Sequence, residues 1–334
     1  MKAFVVERYG EASAVRASEM PDPQVGDDDV LVQIYAASVN PLDLRTRDGS
    51  LKAILPYRLP FVLGNDLAGV VVAAGAGVTR FRIGDEVYAR PDKNRIGTFA
   101  ELIAIHSDDV AIKPTTLTME EAASVPLVGL TSWQALVDRA NVQPGQKVLI
   151  HAGSGGVGTI AIQLAKHLGA SVATTTSTAN IDLVKSLGAD IVVDYKAQSF
   201  ETVLNDYDVV LDTLGGETLE KSLQVLRPGG KLISIAGPPD PAFAQELGAN
   251  FVVRLAMTAL SFQTRRQARR HQVTYSYLFM KASGDQLRKI TALIEAGTIR
   301  PVVDRVFTFE STQEALAYVE RGRATAGKVV VQMK

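Results

Sequence analysis

A glycine-rich turn between an apolar segment and a helix-forming segment constrains this chain most. The apolar run Val148–Ile150 is followed by Gly153, Gly155 and Gly158 in the order GxGxxG. In such a turn the first glycine permits a tight bend, the second lets the backbone approach a pyrophosphate, and the third lets helix pack on strand. The helix N-terminus adds unpaired amides and roughly +0.5 e of partial charge. The motif therefore predicts a dinucleotide site within a βαβ unit.

Strand and helix patterns alternate after Pro114, which is typical of a parallel sheet with crossover helices. The predicted strands are Lys147–Ala152, Ser171–Thr176, Asp190–Asp194, Asp208–Asp212 and Lys231–Ala236, with a sixth at Gln272–Met280. The predicted helices between them are Val157–Leu168, Ala179–Leu187, Phe200–Leu204 and Thr218–Leu226. Right-handed crossovers would place helices on both faces, so we expect a doubly wound α/β sheet.

The segments on either side of this region have a different pattern. Before Ile112 the sequence reads as short strands separated by turns, which favours a compact, barrel-like β unit. After Gly284, the helix Asp285–Ala296 and the strands Val302–Thr308 and Lys328–Met333 return to that style. A chain of 334 residues is also longer than one ordinary core. We expect two domains, 1–122 plus 284–334 and an inserted 123–283.

Composition excludes several classes of site and partner. The chain has no cysteine, and its four histidines (His106, His151, His167 and His271) include no pair at helical metal-ligand spacing, so we expect no metal. The net charge of −1 argues against nucleic acid and anionic membranes as partners. No apolar stretch approaches the ~20 residues of a spanning helix, and the N-terminal apolar run is too short for a signal peptide. We expect a cytoplasmic protein.

The end of the second predicted strand indicates which dinucleotide is bound. NAD enzymes of this fold usually have a carboxylate there for the ribose 2′-hydroxyl. This chain has Thr176, Ser177 and Asn180 instead, whose hydroxyl and amide groups can donate hydrogen bonds to a 2′-phosphate. NADPH is therefore favoured over NADH, although this stretch contains no cation.

An ordered set of motifs covers nearly the whole chain: Ser38–Asp43, Gly64–Gly69, Gly84–Val87, Gly129–Thr131, Ala152–Gly158, Lys185–Asp190, Leu211–Gly216 and Gly327–Val330. In this order they resemble the medium-chain dehydrogenase/reductase superfamily, and within it the zinc-independent quinone oxidoreductase branch. The resemblance implies a Rossmann doubly wound parallel sheet inserted in a GroES-like β-barrel catalytic domain.

The chain departs from the zinc-dependent alcohol dehydrogenases of that superfamily. They have a Cys near the position of Asn40, a His-Glu pair in place of Asn65-Asp66, and a four-Cys lobe where this chain has only a short link. The departure removes the Lewis acid that helps to ionise an alcohol. Quinones and α,β-unsaturated carbonyls need less help, because hydride addition gives a delocalised anion. We expect an NADPH-dependent quinone reductase, with a 2-alkenal or enone reductase as the alternative.

The resemblance also implies roles for individual residues. Asn40 would lie beside the nicotinamide ribose and substrate, and Thr131 would orient the nicotinamide. The sequence shows no convincing proton donor, and solvent or Tyr57 would serve. Arg323 would join Ser177 and Tyr195 around the 2′-phosphate and provide the missing cation. The other expected cofactor-binding residues are Gly153, Ser154, Gly155, Gly156, Val157, Gly158, Thr176, Asn180, Thr213, Leu214, Ile235, Ala236, Gly237, Phe279, Met280 and Lys328.

Simpler roles stay open for some of these residues. Asn40 could be a turn residue before Pro41, Thr131 a helix cap, Tyr195 a strand end, and Arg323 a solvated side chain. His151 is more typical of a strand end than of a proton donor. The acceptor pocket would be lined by Leu51–Pro60 and Gly248–Gln263.

Two further expectations concern partners. The resemblance implies a homodimer that pairs Gln272–Met280 across a two-fold axis. A function of another class, an NADPH-sensing or RNA-binding protein, would use the Arg265–Arg270 cluster, and RNA binding would then depend steeply on salt.

Overall fold

The computed structural model describes residues 1–334, apart from the side chain of Ala12. The chain forms two compact units, one made of Met1–Leu130 with Lys281–Lys334 and the other of Thr131–Met280. The second unit is therefore inserted between two segments of the first. The functional assignment of 1–122 plus 284–334 and of 123–283 stays a prediction.

The first segment is mainly antiparallel β-structure. Strand β1 pairs with β2 and β4, and the long strand β3 pairs with β5 and β7. Strand β6 lies between β5 and β8. The elements are β1 (Lys2–Val6), β2 (Val15–Glu19), β3 (Asp29–Val39), α1 (Pro41–Arg47), β4 (Phe61–Val62), β5 (Asp66–Ala74), β6 (Glu86–Ala89), β7 (Leu102–His106), β8 (Val110–Ile112), α2 (Met119–Ala123) and α3 (Pro126–Trp133).

Strand β3 supplies both main apolar clusters of this unit. Val30, Val32 and Ile34 in its first half pack in a cluster with buried residues of β5, β6 and β7. Ala37 and Val39 in its second half belong to a separate cluster. Because side chains alternate along a strand, this arrangement needs apolar residues on both faces of β3, and the sequence provides them.

The second unit is a six-stranded sheet in the order β11-β10-β9-β12-β13-β14. All of its pairings are parallel. The predicted doubly wound α/β sheet is thus confirmed. The elements are a π-helix (Gln134–Arg139), β9 (Lys147–Ile150), α4 (Gly156–His167), β10 (Ser171–Thr176), α5 (Ile181–Ser186), β11 (Ile191–Asp194), β12 (Tyr207–Asp212), α6 (Gly216–Val225), β13 (Leu226–Ser234), α7 (Pro241–Glu246), α8 (Phe251–Leu260), α9 (Phe262–Arg270) and β14 (Thr274–Tyr277).

The strand order reverses between β9 and β12, whose carboxyl ends form the switch point where ligands bind in such sheets. Val148, Leu149 and Ile150 of β9 are completely buried, as expected for a central strand covered on both faces. The sheet therefore presents the turns after β9, β10, β12 and β13 at one edge.

The last segment returns to the first unit. It consists of α10 (Gly284–Glu295), β15 (Val303–Thr308), α11 (Thr312–Glu320) and β16 (Lys328–Gln332). Strand β16 pairs antiparallel with β3, so that Val329 lies opposite Val39. The hydroxyl of Tyr88 donates a 2.8 Å hydrogen bond to the carbonyl of Leu287 in α10. These contacts place Lys328 beside the end of β3.

Several predicted elements differ in detail from the structure. The helix predicted at Phe200–Leu204 is only a 3-10 turn, Phe200–Thr202. Strand β13 begins at Leu226, earlier than predicted, because its pairing with β12 shifts register between Tyr207 and Val209 and so accommodates Pro228. The sixth strand is shorter than predicted, at Thr274–Tyr277. Among the described residues, no helix has the length and apolar character needed to cross a bilayer.

Candidate active site

The turn between β9 and α4 has the shape of a phosphate-binding loop. Ala152 takes the left-handed conformation, with φ of 50°. A Cβ atom on Gly158 would lie 2.3 Å from the carbonyl oxygen of Ala152, and one on Gly153 would lie 2.0 Å from Oγ1 of Thr174. Both positions therefore need glycine for close packing. A Cβ atom on Gly155 would meet only that same oxygen, at 3.3 Å.

Gly155 is the N-cap of α4, and no side chain caps the helix. The first amides of α4 are consequently left for a ligand, and a phosphate is the group that a helix N-terminus favours. Gly156 and Val157 form the first turn. The loop fits the pyrophosphate of a dinucleotide.

A cluster of hydroxyl and amide groups surrounds Ser154. Its Oγ accepts hydrogen bonds from Thr176 Oγ1 and Asn180 Nδ2, both at 3.1 Å. The same Asn180 nitrogen donates to Ser177 Oγ at 3.4 Å. The backbone amide of Tyr195 donates to the carbonyl of Thr176, and the Tyr195 side chain is 62% exposed. Of the residues predicted around the 2′-phosphate, Thr176, Ser177, Asn180 and Tyr195 therefore lie together beside Ser154 of the glycine-rich turn.

Sequence reasoning missed a carboxylate beside this cluster. Asp194 pairs with Thr176 in the register of β10 and β11. One oxygen accepts a hydrogen bond from Thr178 Oγ1 at 2.5 Å, and the other accepts one from the amide of Lys196 at 2.9 Å. These bonds lower the pKa of Asp194, so the group is ionised at neutral pH. It was missed because it follows the third strand and not the second.

The turns after β12 and β13 are held by one buried pair, Asp212 and Ser234. One Asp212 oxygen accepts from the amides of Leu214 and Gly215, and the other accepts a 2.6 Å bond from Ser234 Oγ. Ser234 Oγ in turn accepts from the next backbone amides along the chain. The pair thereby fixes the predicted cofactor-binding residues Leu214, Ile235, Ala236 and Gly237, while the hydroxyl of Thr213 donates to the carbonyl of His151.

Three other predicted residues lie in this unit. Thr131 and Met280 are buried at its two ends. The ring of Phe279 lies 5.8 Å from that of Phe243. Their predicted roles toward nicotinamide stay predictions.

His151 is a structural residue of the second unit. It is completely buried and lies within hydrogen-bond distance of Thr175 Oγ1 at 3.1 Å and Ser222 Oγ at 2.9 Å. Burial lowers its pKa to about 4, so the ring is neutral at pH 7. Because both ring nitrogens already have partners, His151 is a poor proton donor for catalysis.

In the first unit, Asn40 lies at the centre of a buried polar network. It is the N-cap of α1, and its amide donates to Asp43 Oδ2 at 2.7 Å. Its side-chain nitrogen donates to Asp66 Oδ2 at 2.8 Å, and its side-chain oxygen accepts from the ammonium of Lys328. The ammonium also donates to the carbonyl of Val39 at 3.0 Å and lies 3.3 Å from Asp66.

Burial shifts the pKa values of two groups in this network, Lys328 and Asp43. It lowers the pKa of Lys328, while Asp66 and Asp43 oppose that change. Burial also raises the pKa of Asp43 to about 6, although Asn65 donates to its Oδ1 at 2.7 Å. The carboxylate of Asp66, 3.3 Å from the ammonium, and the charge of Asp43 both favour the protonated form of Lys328.

These residues do not fit a zinc ion. By resemblance, Asn40, Asn65 and Asp66 take the positions of zinc ligands. Both asparagine nitrogens are donors to carboxylates, and the ammonium of Lys328 contacts both Asn40 and Asp66. A second cation would be repelled, and zinc prefers thiolate and imidazole. Across the described residues, no group of three or more His, Cys, Asp or Glu side chains could hold a metal.

Tyr57 and Arg323 also belong to the first unit. The Tyr57 hydroxyl donates to the carbonyl of Lys93 at 2.5 Å, and burial raises its pKa, so the phenol stays protonated. Arg323 is exposed in the turn after α11, where its amide donates to the carbonyl of Tyr318. Its predicted contact with a 2′-phosphate stays a prediction.

We predict different effects for two glycine substitutions in the loop. Gly155→Ala should leave the melting temperature within about 2 °C of wild type, but weaken binding of the reduced dinucleotide by about tenfold or more, because the methyl group meets the pyrophosphate. Gly158→Ala should destabilise the unit itself, because its Cβ overlaps the backbone. Fluorescence titration and thermal melting measure both effects. Equal affinity of Gly155→Ala and wild type would contradict a phosphate at this turn.

We also predict a pH dependence from His151. The folded protein keeps the ring neutral down to pH about 4, whereas the unfolded chain takes up a proton below about 6.5. Protonation therefore favours unfolding, and up to about 3 kcal/mol of stability is lost as pH falls through this window. Urea denaturation should show a flatter pH profile for His151→Gln than for wild type. His271→Gln, which changes an exposed histidine, is the control and should keep the wild-type profile.

Comparison with known proteins agrees with these features. Residues 26–115 match the family model described as alcohol dehydrogenase GroES-like domain, and residues 187–331 match the one described as zinc-binding dehydrogenase. The chain is 36% identical to the NADPH-dependent alkenal/one oxidoreductase, chloroplastic, of Arabidopsis thaliana, over 99% of this chain and 79% of that protein. It is 32% identical to quinone-oxidoreductase QR1, chloroplastic, of Triphysaria versicolor, over 99% and 98% of the two chains.

A solved structure of a similar protein has the same fold. The quinone oxidoreductase from Coxiella burnetii superposes with a TM-score of 0.87 and 29% identity, covering 100% of this chain and 99% of the other. The predicted Rossmann and GroES-like architecture is confirmed. The chain therefore belongs to the medium-chain dehydrogenase/reductase superfamily, in its quinone oxidoreductase-like branch.

Proposed function

We propose that this protein is an NADPH-dependent oxidoreductase that reduces quinones, with α,β-unsaturated aldehydes and ketones as the alternative acceptors. The observation that carries the proposal is the uncapped N-terminus of α4 beside the hydroxyl cluster at Ser154. Relatives named for quinones and for alkenals are similar to the chain over nearly its whole length, so both acceptor classes are supported.

The choice of NADPH rests on the chemistry of the hydroxyl cluster. Ser154, Thr176, Ser177 and Asn180 offer hydrogen-bond donors, and a phosphate dianion accepts such bonds strongly. The nearby carboxylate of Asp194 already accepts two hydrogen bonds, which reduces its demand for a ribose hydroxyl. The Arabidopsis relative is itself named as NADPH-dependent. We further propose that Arg323 adds a positive charge to this subsite.

NADPH, when bound, supplies the hydride. The residues of this chain orient the cofactor and the acceptor and stabilise the charge that develops on the acceptor. We propose that residues 123–283 bind the cofactor and that 1–122 plus 284–334 face the acceptor. Asn40 and Thr131 would position the nicotinamide. Tyr57 or solvent stays the proposed proton donor, and the Tyr57 hydroxyl would have to leave the carbonyl of Lys93 to give up its proton. Lys328 keeps the Asn40 side chain in place through its hydrogen bond.

Assembly and location are proposals as well. Strand β14 lies at an edge of the second unit's sheet, which makes it available for pairing with another copy. We therefore retain a homodimer as the proposed assembly. We also retain a cytoplasmic location, although the two relatives described above are named as chloroplastic.

The acceptor class can be measured directly. Oxidation of NADPH should be followed with 1,4-benzoquinone, 9,10-phenanthrenequinone, trans-2-hexenal and hexanal in parallel. We expect at least one conjugated acceptor to reach a kcat/KM of about 10⁴ M⁻¹s⁻¹ or more. Hexanal should not be reduced, because its carbonyl is not conjugated and no metal site assists the hydride transfer. Reduction of hexanal at a rate similar to that of hexenal would contradict the proposal.

Cofactor preference should reverse with a single substitution. Ser177→Asp places a carboxylate where the 2′-phosphate would bind, so repulsion should raise the KM for NADPH by about tenfold or more. The KM for NADH should stay close to wild type. Ser177→Ala, which removes the hydroxyl without adding charge, is the matched control and should change the KM for NADPH only a few-fold. The proposal fails if wild-type protein prefers NADH.

A further inference from the structure

Arg90 is a buried cation without a carboxylate partner. It follows β6 directly and is only 1% exposed. Its Nη1 donates a 2.8 Å hydrogen bond to the carbonyl of the next residue, Pro91, while its Nε has no partner. Among the described residues, no carboxylate forms an ion pair with it. A guanidinium in this state calls for an explanation.

The energetic cost of this arrangement is large. Arginine is almost never fully buried unless paired, because taking a charge out of water costs several kcal/mol. Burial lowers the pKa of Arg90, and the groups that oppose this change are Tyr57, Asp66, Asp92 and Asp109. None of them forms an ion pair with Arg90 in the structure described.

The carboxylates near Arg90 have other partners. Asp66 accepts from Ser38, Asn40 and Lys328. Asp92 accepts from the amide of Asn94, and Asp109 accepts from the amide of Asp92. Each of these acids accepts hydrogen bonds from other groups, so their charges act on Arg90 only from a distance and none forms a direct ion pair with it.

Two more buried polar atoms without partners come from neighbouring residues, Asn65 Oδ1 and Thr98 Oγ1. In the antiparallel pairing of β5 with β6, Leu67 lies opposite Ala89. Asp66, which precedes Leu67, and Arg90, which follows Ala89, therefore lie side by side just beyond the last paired residues. The amide of Thr98 donates to the carbonyl of Gly64, which precedes Asn65. The backbone thus brings all three unsatisfied side chains to one end of these strands, all within the first unit.

Tyr57 completes this cluster. The pKa values of Tyr57 and Arg90 each respond to the other group, so the two side chains lie near each other. Its hydroxyl donates to the carbonyl of Lys93, three residues beyond Arg90. Tyr57 is also the proposed proton donor, so the proposed donor lies near the buried cation.

We propose that Arg90 binds the carbonyl oxygen of the acceptor and stabilises the negative charge that this oxygen gains during reduction. This inference rests on the proposed function. The Thr98 hydroxyl would donate to the same oxygen, and the Asn65 amide oxygen, which only accepts, would accept a hydrogen bond from a water bound there. A preorganised donor at a developing oxyanion is among the largest single contributions to catalysis, and it is largest in a site that excludes water.

The proposed reduction of an enone is a hydride transfer followed by protonation. Hydride leaves C4 of NADPH, which becomes NADP⁺, and forms a C–H bond at the β-carbon. The π electrons of the C=C bond form the enolate, and the former carbonyl oxygen becomes an oxyanion that accepts a hydrogen bond from Arg90. A proton from solvent or Tyr57 then reaches the α-carbon. With a quinone, the same donor stabilises the hydroquinone anion.

The test compares Arg90→Ala with wild type and with Arg82→Ala, which changes an exposed arginine on the approach to β6. For both conjugated acceptors, Arg90→Ala should lower kcat about 10²-fold or more while the KM for the acceptor changes little, because the bond strengthens in the transition state. The affinity for NADPH should stay at the wild-type value. Added guanidinium chloride at millimolar concentration should restore activity of Arg90→Ala by about tenfold and leave wild type unchanged.

A second variant keeps the inference testable if Arg90→Ala does not fold. Thr98→Val replaces an unpaired hydroxyl with a methyl group of the same shape, so it should not destabilise the protein. We expect it to lower kcat several-fold with a wild-type melting temperature. Two outcomes would contradict the proposal. One is a wild-type kcat in folded Arg90→Ala. The other is a loss of kcat in Arg90→Ala that guanidinium does not restore, together with a wild-type kcat in Thr98→Val. Either result would show that Arg90 is a structural cation that contacts only bound water.

The outcome for wild type separates the two proposals. If wild-type protein reduces neither acceptor, the proposed function itself fails and the role of Arg90 with it. If wild-type protein is active and Arg90→Ala has the same kcat, the proposed function stands and only the proposed role of Arg90 is wrong. A changed affinity for NADPH in Arg90→Ala would assign the residue to the cofactor and would also overturn the inference.

Discussion

The buried ammonium of Lys328 is the contact on which the first unit depends. It joins the last strand of the chain to the end of β3, where it bonds Val39, Asn40 and Asp66. An ion pair at this depth is expensive to assemble and more expensive to break, since loss of one partner leaves an uncompensated charge. The chain must therefore return from the second unit in the register that places Val329 opposite Val39.

Local sequence predicted the parts of the site that depend on neighbouring residues. The glycine turn, the end of β10 and the strand ends at Thr213 and Ile235 all follow from short patterns. In each case a glycine, a hydroxyl or an apolar run determines the backbone over a few residues. The hydrogen bonds around Ser154 then form because consecutive parallel strands end at the same edge of the sheet.

Contacts between distant residues could not be predicted in this way. Lys328 and Asn40 are separated by 288 residues, and Ser234 and Asp212 by 22. No periodicity relates such positions, so their pairing depends on strand register, which the sequence specifies only through the whole fold. Asp194 was missed for a related reason, because it reaches Thr176 through the pairing of β10 and β11.

The first unit buries four cationic side chains, Arg47, Lys113, Arg90 and Lys328, and the last two differ in a way that separates a structural role from a chemical one. Lys328 has a carboxylate, an amide oxygen and a carbonyl as partners, so its charge is already stabilised and it can only hold Asn40 in place. Arg90 has one backbone carbonyl and an unpaired Nε. A donor whose hydrogens are all bonded cannot form a stronger hydrogen bond to a substrate that becomes charged, whereas a donor with a free hydrogen can. This difference in partners is why the proposed oxyanion-stabilising role is assigned to Arg90 and not to Lys328.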